Sequence, residues 1–125
     1  MSTGSIWTRE QLIAAYPALI HVPNRLGLTP WRIAREDVPE EFLELIPYAE
    51  LWGVGDDGTR DSLVDQAPAS VLENLASVVA PLDDRLDPWL AGPEASGPMF
   101  SDAYVAFSCL RMAAECAIGR LQRTR

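Results

Sequence analysis

The sequence predicts an all-α protein, an orthogonal bundle of five or six mostly short helices around a long C-terminal helix. Three observations lead there. Apolar residues recur at helical spacing in several segments, each opened by a recognisable helix start. Ten prolines divide the chain and keep most helices short. Residues 102–122 form one proline-free run in which Tyr104, Ser108, Arg111 and Glu115 make the polar stripe and most of the remaining circumference is apolar.

In chain order, Thr8 reads as an N-cap with Gln11 completing a capping box. The helix it opens carries Leu12, Ile13 and Tyr16 and ends or kinks at Pro17. Residues 18–29 read as irregular, with a turn or a short extended piece at His21-Val22-Pro23-Asn24. Thr29-Pro30 is a cap followed by a first-position proline, opening a short turn through Trp31 and Ile33. Pro39 opens a helix with Phe42, Leu45, Ile46 and Ala49 on one face and Glu40, Glu41 and Glu44 on another. Pro47 kinks it or restarts it as Pro47–Trp52.

Residues 53–60 read as the clearest loop. Ser70 and Glu73 predict a second capping box, before the stripe Val71, Leu72, Leu75, Val78 and Val79, which Pro81 ends. Asp87-Pro88 caps a short turn bearing Trp89 and Leu90, and residues 92–98 read as a loop. Ser101 caps the long helix, whose alanines 103, 106, 113, 114 and 117 allow close helix approach. The basic tail from Arg120 is expected to fray.

A chain of 125 residues fits a single helical domain, 1–125, able to build a core without metal or disulfide staples. No apolar run approaches the roughly 18 residues of a membrane span, and Met1–Trp7 does not read as a signal peptide; the expected location is cytoplasmic. Cys109 and Cys116 are seven apart on one predicted helix. That places their Cα atoms roughly 10.5 Å apart, too far for a disulfide between them. All ten basic residues are arginine, as codon usage in a GC-rich genome would produce.

The net charge is −8, unevenly spread. Residues 36–102 hold sixteen of the eighteen acids and only Arg60 and Arg85, a balance of −14, between flanks that are each +3. Such a field repels nucleic acid and anionic membranes and attracts basic surfaces, although an acidic surface also serves plain solubility.

Several short patterns suggest chemistry. Asp83-Asp84-Arg85-Leu86-Asp87 resembles the magnesium-binding aspartate-rich element of isoprenoid synthases. That resemblance covers five residues of a family more than twice as long, and acids on a solvated helix face explain them more simply. Glu41-Phe42-Leu43-Glu44 is similar to the ExxE element of all-α nucleotide pyrophosphohydrolases, whose partner ExxD element has no counterpart here; Asp61…Asp65 and Asp84…Asp87 come nearest. Asp56-Asp57-Gly58-Thr59-Arg60-Asp61 lacks the alternating acids and final glutamate of a calcium loop. His21 is the lone histidine, too few with two cysteines for a usual zinc site. No metal or cofactor is expected.

The function expected is that of a small acidic binding protein docking a basic protein partner, as immunity-like bacterial proteins that neutralise a toxin or a nucleic-acid-binding protein do. The warrant is charge and size, not motif. Trp52 and Trp89 are the expected apolar anchors, with Asp56, Asp57 and Asp61 beside the first and Asp83, Asp84 and Asp87 beside the second. The alternatives are a magnesium-dependent phosphohydrolase using Glu40, Glu41, Glu44 and nearby aspartates, and a structural subunit of a homo-oligomer.

Overall fold

Thr8 caps the first helix as its spacing predicts. Its side chain accepts from the Gln11 amide at 3.2 Å, and the Gln11 side chain accepts from the Thr8 amide at 2.8 Å. The computed structural model describes residues 6–21, 23, 27, 31–54, 57–91 and 102–123. Among these the regular structure is entirely helical: α1 (Arg9–Ala15), α2 (Ile46–Trp52), α3 (Asp57–Gln66), α4 (Ala69–Val79), α5 (Asp83–Ala91) and α6 (Asp102–Arg123), with short 3-10 segments between several of them. The all-α class and the long C-terminal helix are thus as the sequence predicts.

Helix α6 is the element the others share. It packs against α2, α3, α4 and α5, most extensively against α4. Ala103, Ala106, Ala113, Ala114 and Ala117 are all buried, so neighbouring helices meet its backbone closely, while Phe107 and Leu110 fill the space between. Each fully buried side chain of that size contributes on the order of 1.5–3 kcal/mol. The α4 stripe of Val71, Leu72, Leu75, Val78 and Val79 is buried opposite.

The prolines divide the chain with two departures from expectation. After Pro39 the chain forms a 3-10 segment, Glu40–Leu45, where a helix was expected, although its restart as an α-helix with Pro47 in the first turn is one of the two outcomes predicted. Pro88 does not open a new turn at Asp87; it lies inside α5, which runs unbroken from Asp83. Its ring removes the bond to the Asp84 carbonyl, and because Asp84 and Pro88 are both on the exposed side the loss is tolerated.

Two further expectations are corrected. The presumed loop 53–60 is cut short by α3, which begins at Asp57. Ser70 is not a cap: α4 begins at Ala69 with Pro68 at the N-cap position and no side-chain cap. Trp31 and Ile33 lie in irregular chain, with a 3-10 turn following at Arg35–Asp37. The expected caps at Thr29 and Ser101, most of the turn at 21–24 and the loop 92–98 fall outside the described residues.

Polar side chains tie the elements together. Glu50 accepts from Arg9 at 2.7 Å and from the Ile33 amide at 3.1 Å, drawing α1 and the 31–33 segment onto α2. Arg111 of α6 donates to Asp83 at 2.8 Å and to Asp87 at 3.2 Å, holding α5. Arg120 donates to the Val64 and Ala67 carbonyls at 2.9 and 3.0 Å, closing the C-terminal end of α3. Three of the ten arginines therefore each use two acceptors or join two elements, work for which a planar guanidinium is suited.

Candidate functional site

The expected anchors separate at once. Trp52 is fully buried, its indole set against the Tyr16 ring with centroids 6.1 Å apart. A side chain with no exposed surface cannot meet a docked partner, so Trp52 is a core residue and not a surface anchor. Trp89 is half-buried, stacked on Phe42 at 5.5 Å and set edge-on to Phe107 at 5.2 Å.

The acids near Trp89 in sequence do not surround it. Two residues along a helix are about 200° around it, so Asp87 lies on the opposite flank of α5. Asp83 and Asp87 face Arg111, whose guanidinium they neutralise in part; the hydrogen bond to Asp83 and the charge of both carboxylates hold its pKa above the ordinary arginine value. Asp84 is exposed between these flanks. One turn from Trp89 stands Arg85, 3.7 Å from Glu41, so the rim on that side is mixed in charge. Asp56 and the side chain of Asp57 lie outside the described residues.

Asp61 leads to a different place. It stands on α3, exposed, at the edge of a groove of about 590 Å³ between α3 and α6. Asp61 and Asp65 lie one turn apart on the α3 bank, and Glu115 stands on the α6 bank; all three are exposed. Met112, 39% exposed, is among the few large apolar side chains of the described residues that stand out of the core. Beneath it Arg60 is buried, its Nη1 3.8 Å from the Met112 sulfur and its Nε 3.9 Å from Asp61. The Cys116 thiol donates to Asp61 at 3.6 Å, and Gly119 and the exposed Arg123 continue the groove along α6. The groove is lined by three exposed carboxylates and two guanidiniums, Arg60 buried beneath and Arg123 exposed at the end.

Asp65, Glu115 and Met112 were not singled out as binding residues by the sequence reading. The four-residue step from Asp61 to Asp65 is visible in the sequence, where it comes near the missing ExxD element, but only the helix that begins at Asp57 turns it into one bank of a groove. Glu115 was visible as part of the α6 polar stripe, but nothing local placed it opposite α3.

Glu40, Glu41 and Glu44 are exposed along the 3-10 segment. Among the described residues no group of three histidines, cysteines or acids could hold a metal ion. His21 borders a separate hollow with Tyr16, Ser62 and Gln66, which includes neither cysteine. No described helix is long and apolar enough to cross a membrane. In comparisons with known proteins, no family model, no curated protein and no solved structure matched the chain.

Proposed function

We propose that the protein is a cytoplasmic binding protein that docks a basic protein partner, in the manner of small acidic neutralising proteins, and that the partner seats in the α3–α6 groove. The observation that carries this reading is the placement of Asp61, Asp65 and Glu115 on the two banks of one groove around the exposed Met112. Carboxylates of this kind raise the association rate and make it depend on salt. An apolar contact at the centre supplies most of the residence time. Met112 takes the anchoring role that the sequence reading gave to Trp52, and Trp89 stays at the edge of the aromatic cluster with Phe42 and Phe107.

The test is capture of the partner from the native host, followed by binding kinetics at two salt concentrations. Reversing Asp61, Asp65 and Glu115 to lysine slows association at low salt, and Met112→Ala speeds dissociation. An acidic partner, or an association rate indifferent to salt and to the reversals, overturns the reading and leaves the acids as a solubility device.

A further inference from the structure

We infer that the partner segment occupying the α3–α6 groove is a basic amphipathic helix of about three turns. The inference rests on the docking reading above and adds the shape of the guest.

The direction and length of the groove follow from its contacts. Arg60 meets Met112, Asp61 meets Cys116, and the Val64 and Ala67 carbonyls meet Arg120. Numbers rise together on both helices, so α3 and α6 run side by side in the same direction. The α6 bank from Met112 to Arg123 is about 16 Å long at helical rise, room for a guest helix of roughly 11 residues.

The banks select against an extended guest. Both are helices, whose backbone donors and acceptors are used internally, and Arg120 takes two of the carbonyls left at the end of α3. An extended peptide would bring its own unpaired amides and carbonyls to a surface with no strand edge to receive them. A helix arrives with these groups already satisfied.

The floor and the charges fit the same guest. A Cβ built on Gly119 meets only the Arg123 Nη1, at an ordinary 3.6 Å, so a flexible guanidinium and no packed backbone stands over the α6 backbone at that end of the groove. Cys116 beside it is small, and Met112 offers an apolar surface at the other end. An apolar stripe on the guest runs from Met112 towards Gly119. Basic residues on its flanks meet Asp61 and Asp65 on one bank and Glu115 on the other, and the Arg123 end receives no base.

The test uses two fluorescent synthetic peptides of one composition, leucine, lysine, arginine and two prolines. One carries the prolines at its N-terminal end, ahead of an amphipathic helix; the other carries them in its interior. Anisotropy at low salt is measured with the native chain, with Gly119→Leu and with the double variant Asp61→Lys, Asp65→Lys. The helical peptide binds the native chain at least about ten-fold more tightly than the interrupted one, and Gly119→Leu weakens it by a similar factor. Because leucine suits a helix interior better than glycine, Gly119→Leu melts no lower than the native chain, which separates a filled groove from a damaged fold. Equal affinity for the two peptides, or full affinity of Gly119→Leu, overturns the helical guest and leaves acidic docking standing. Failure of both peptides to bind in a salt-sensitive way, or indifference of the helical one to the lysine reversals, overturns the docking reading and the inference together.

Discussion

The Tyr48 hydroxyl donates to Asn74 Oδ1 at 2.5 Å inside the core, and the hydroxyl oxygen itself accepts from the Trp7 amide at 2.9 Å. One hydroxyl thus joins α2, α4 and the chain ahead of α1. Tyr48→Phe removes the link and leaves Asn74, itself buried, without that donor. The expected cost is about 1–3 kcal/mol, read as a lower denaturation midpoint at unchanged slope.

Burial raises the pKa of Tyr48 and of Tyr16, outweighing the interactions that lower them. The sign follows from which state keeps its protons. Above the ordinary tyrosine value of about 10 the unfolded chain loses phenolic protons that the folded chain retains, so stability falls as pH rises. Alkaline titration of stability should decline from about pH 10 upward, less steeply in Tyr48→Phe. Identical alkaline profiles would show that Tyr48 carries no such linkage.

Phe107→Ala and Leu110→Ala should each cost about 2–5 kcal/mol, since both are fully buried at the centre of α6. Arg123→Ala, exposed at the end of the same helix, should cost almost nothing. Thermal denaturation of the three variants against the native chain decides it; similar midpoints would remove α6 from the centre of the fold.

Gly53 presses the end of α2 against α6. A Cβ there would lie 2.9 Å from the Ala106 carbonyl oxygen and 3.0 Å from the Trp31 indole nitrogen, which donates to the Gly53 carbonyl. Gly53→Ala is expected to lose about 1–3 kcal/mol through forced separation of packed backbone. Gly119→Ala, whose Cβ would meet only Arg123 Nη1 at an ordinary 3.6 Å, should gain up to about 1 kcal/mol from helix propensity. The two glycines therefore respond in opposite directions, measurable by paired urea titrations.

Arg120→Lys tests whether one guanidinium is needed for two carbonyls. Lysine offers a compact ammonium that does not reproduce the planar fork. The expected loss is about 1–2 kcal/mol, with Arg120→Ala losing more. Equal stability of all three chains would reduce the contact to a surface detail.

What was legible in the sequence was local. The capping box at Thr8 and Gln11 needs only four residues, and the α6 run needs only the absence of breakers. The hidden features depended on tertiary context. Helix α3 carries Gly58 and several acids, and its few buried apolar residues, Leu63 and Val64 with Ala67 just beyond, make too thin a stripe to show a period. Pro88 reads as a breaker because its missing bond is visible in sequence, whereas the exposure that makes the loss tolerable is not. The charge excess of residues 36–102 was plain from composition. Its division between an α5 flank held by Arg111 and a groove facing solvent required the packing of α6.

The two bonds from Arg120 also bear on the calorimetry of docking. They tie α6 to the end of α3, the two helices that bank the groove, so under the docking proposal the cavity would not have to be organised at the moment of capture. The ordering penalty would then fall on the proposed guest, and the heat-capacity change would report mainly its own coil-to-helix transition and the apolar area it covers. A guest stapled into a helix in advance would bind more tightly for entropic reasons alone.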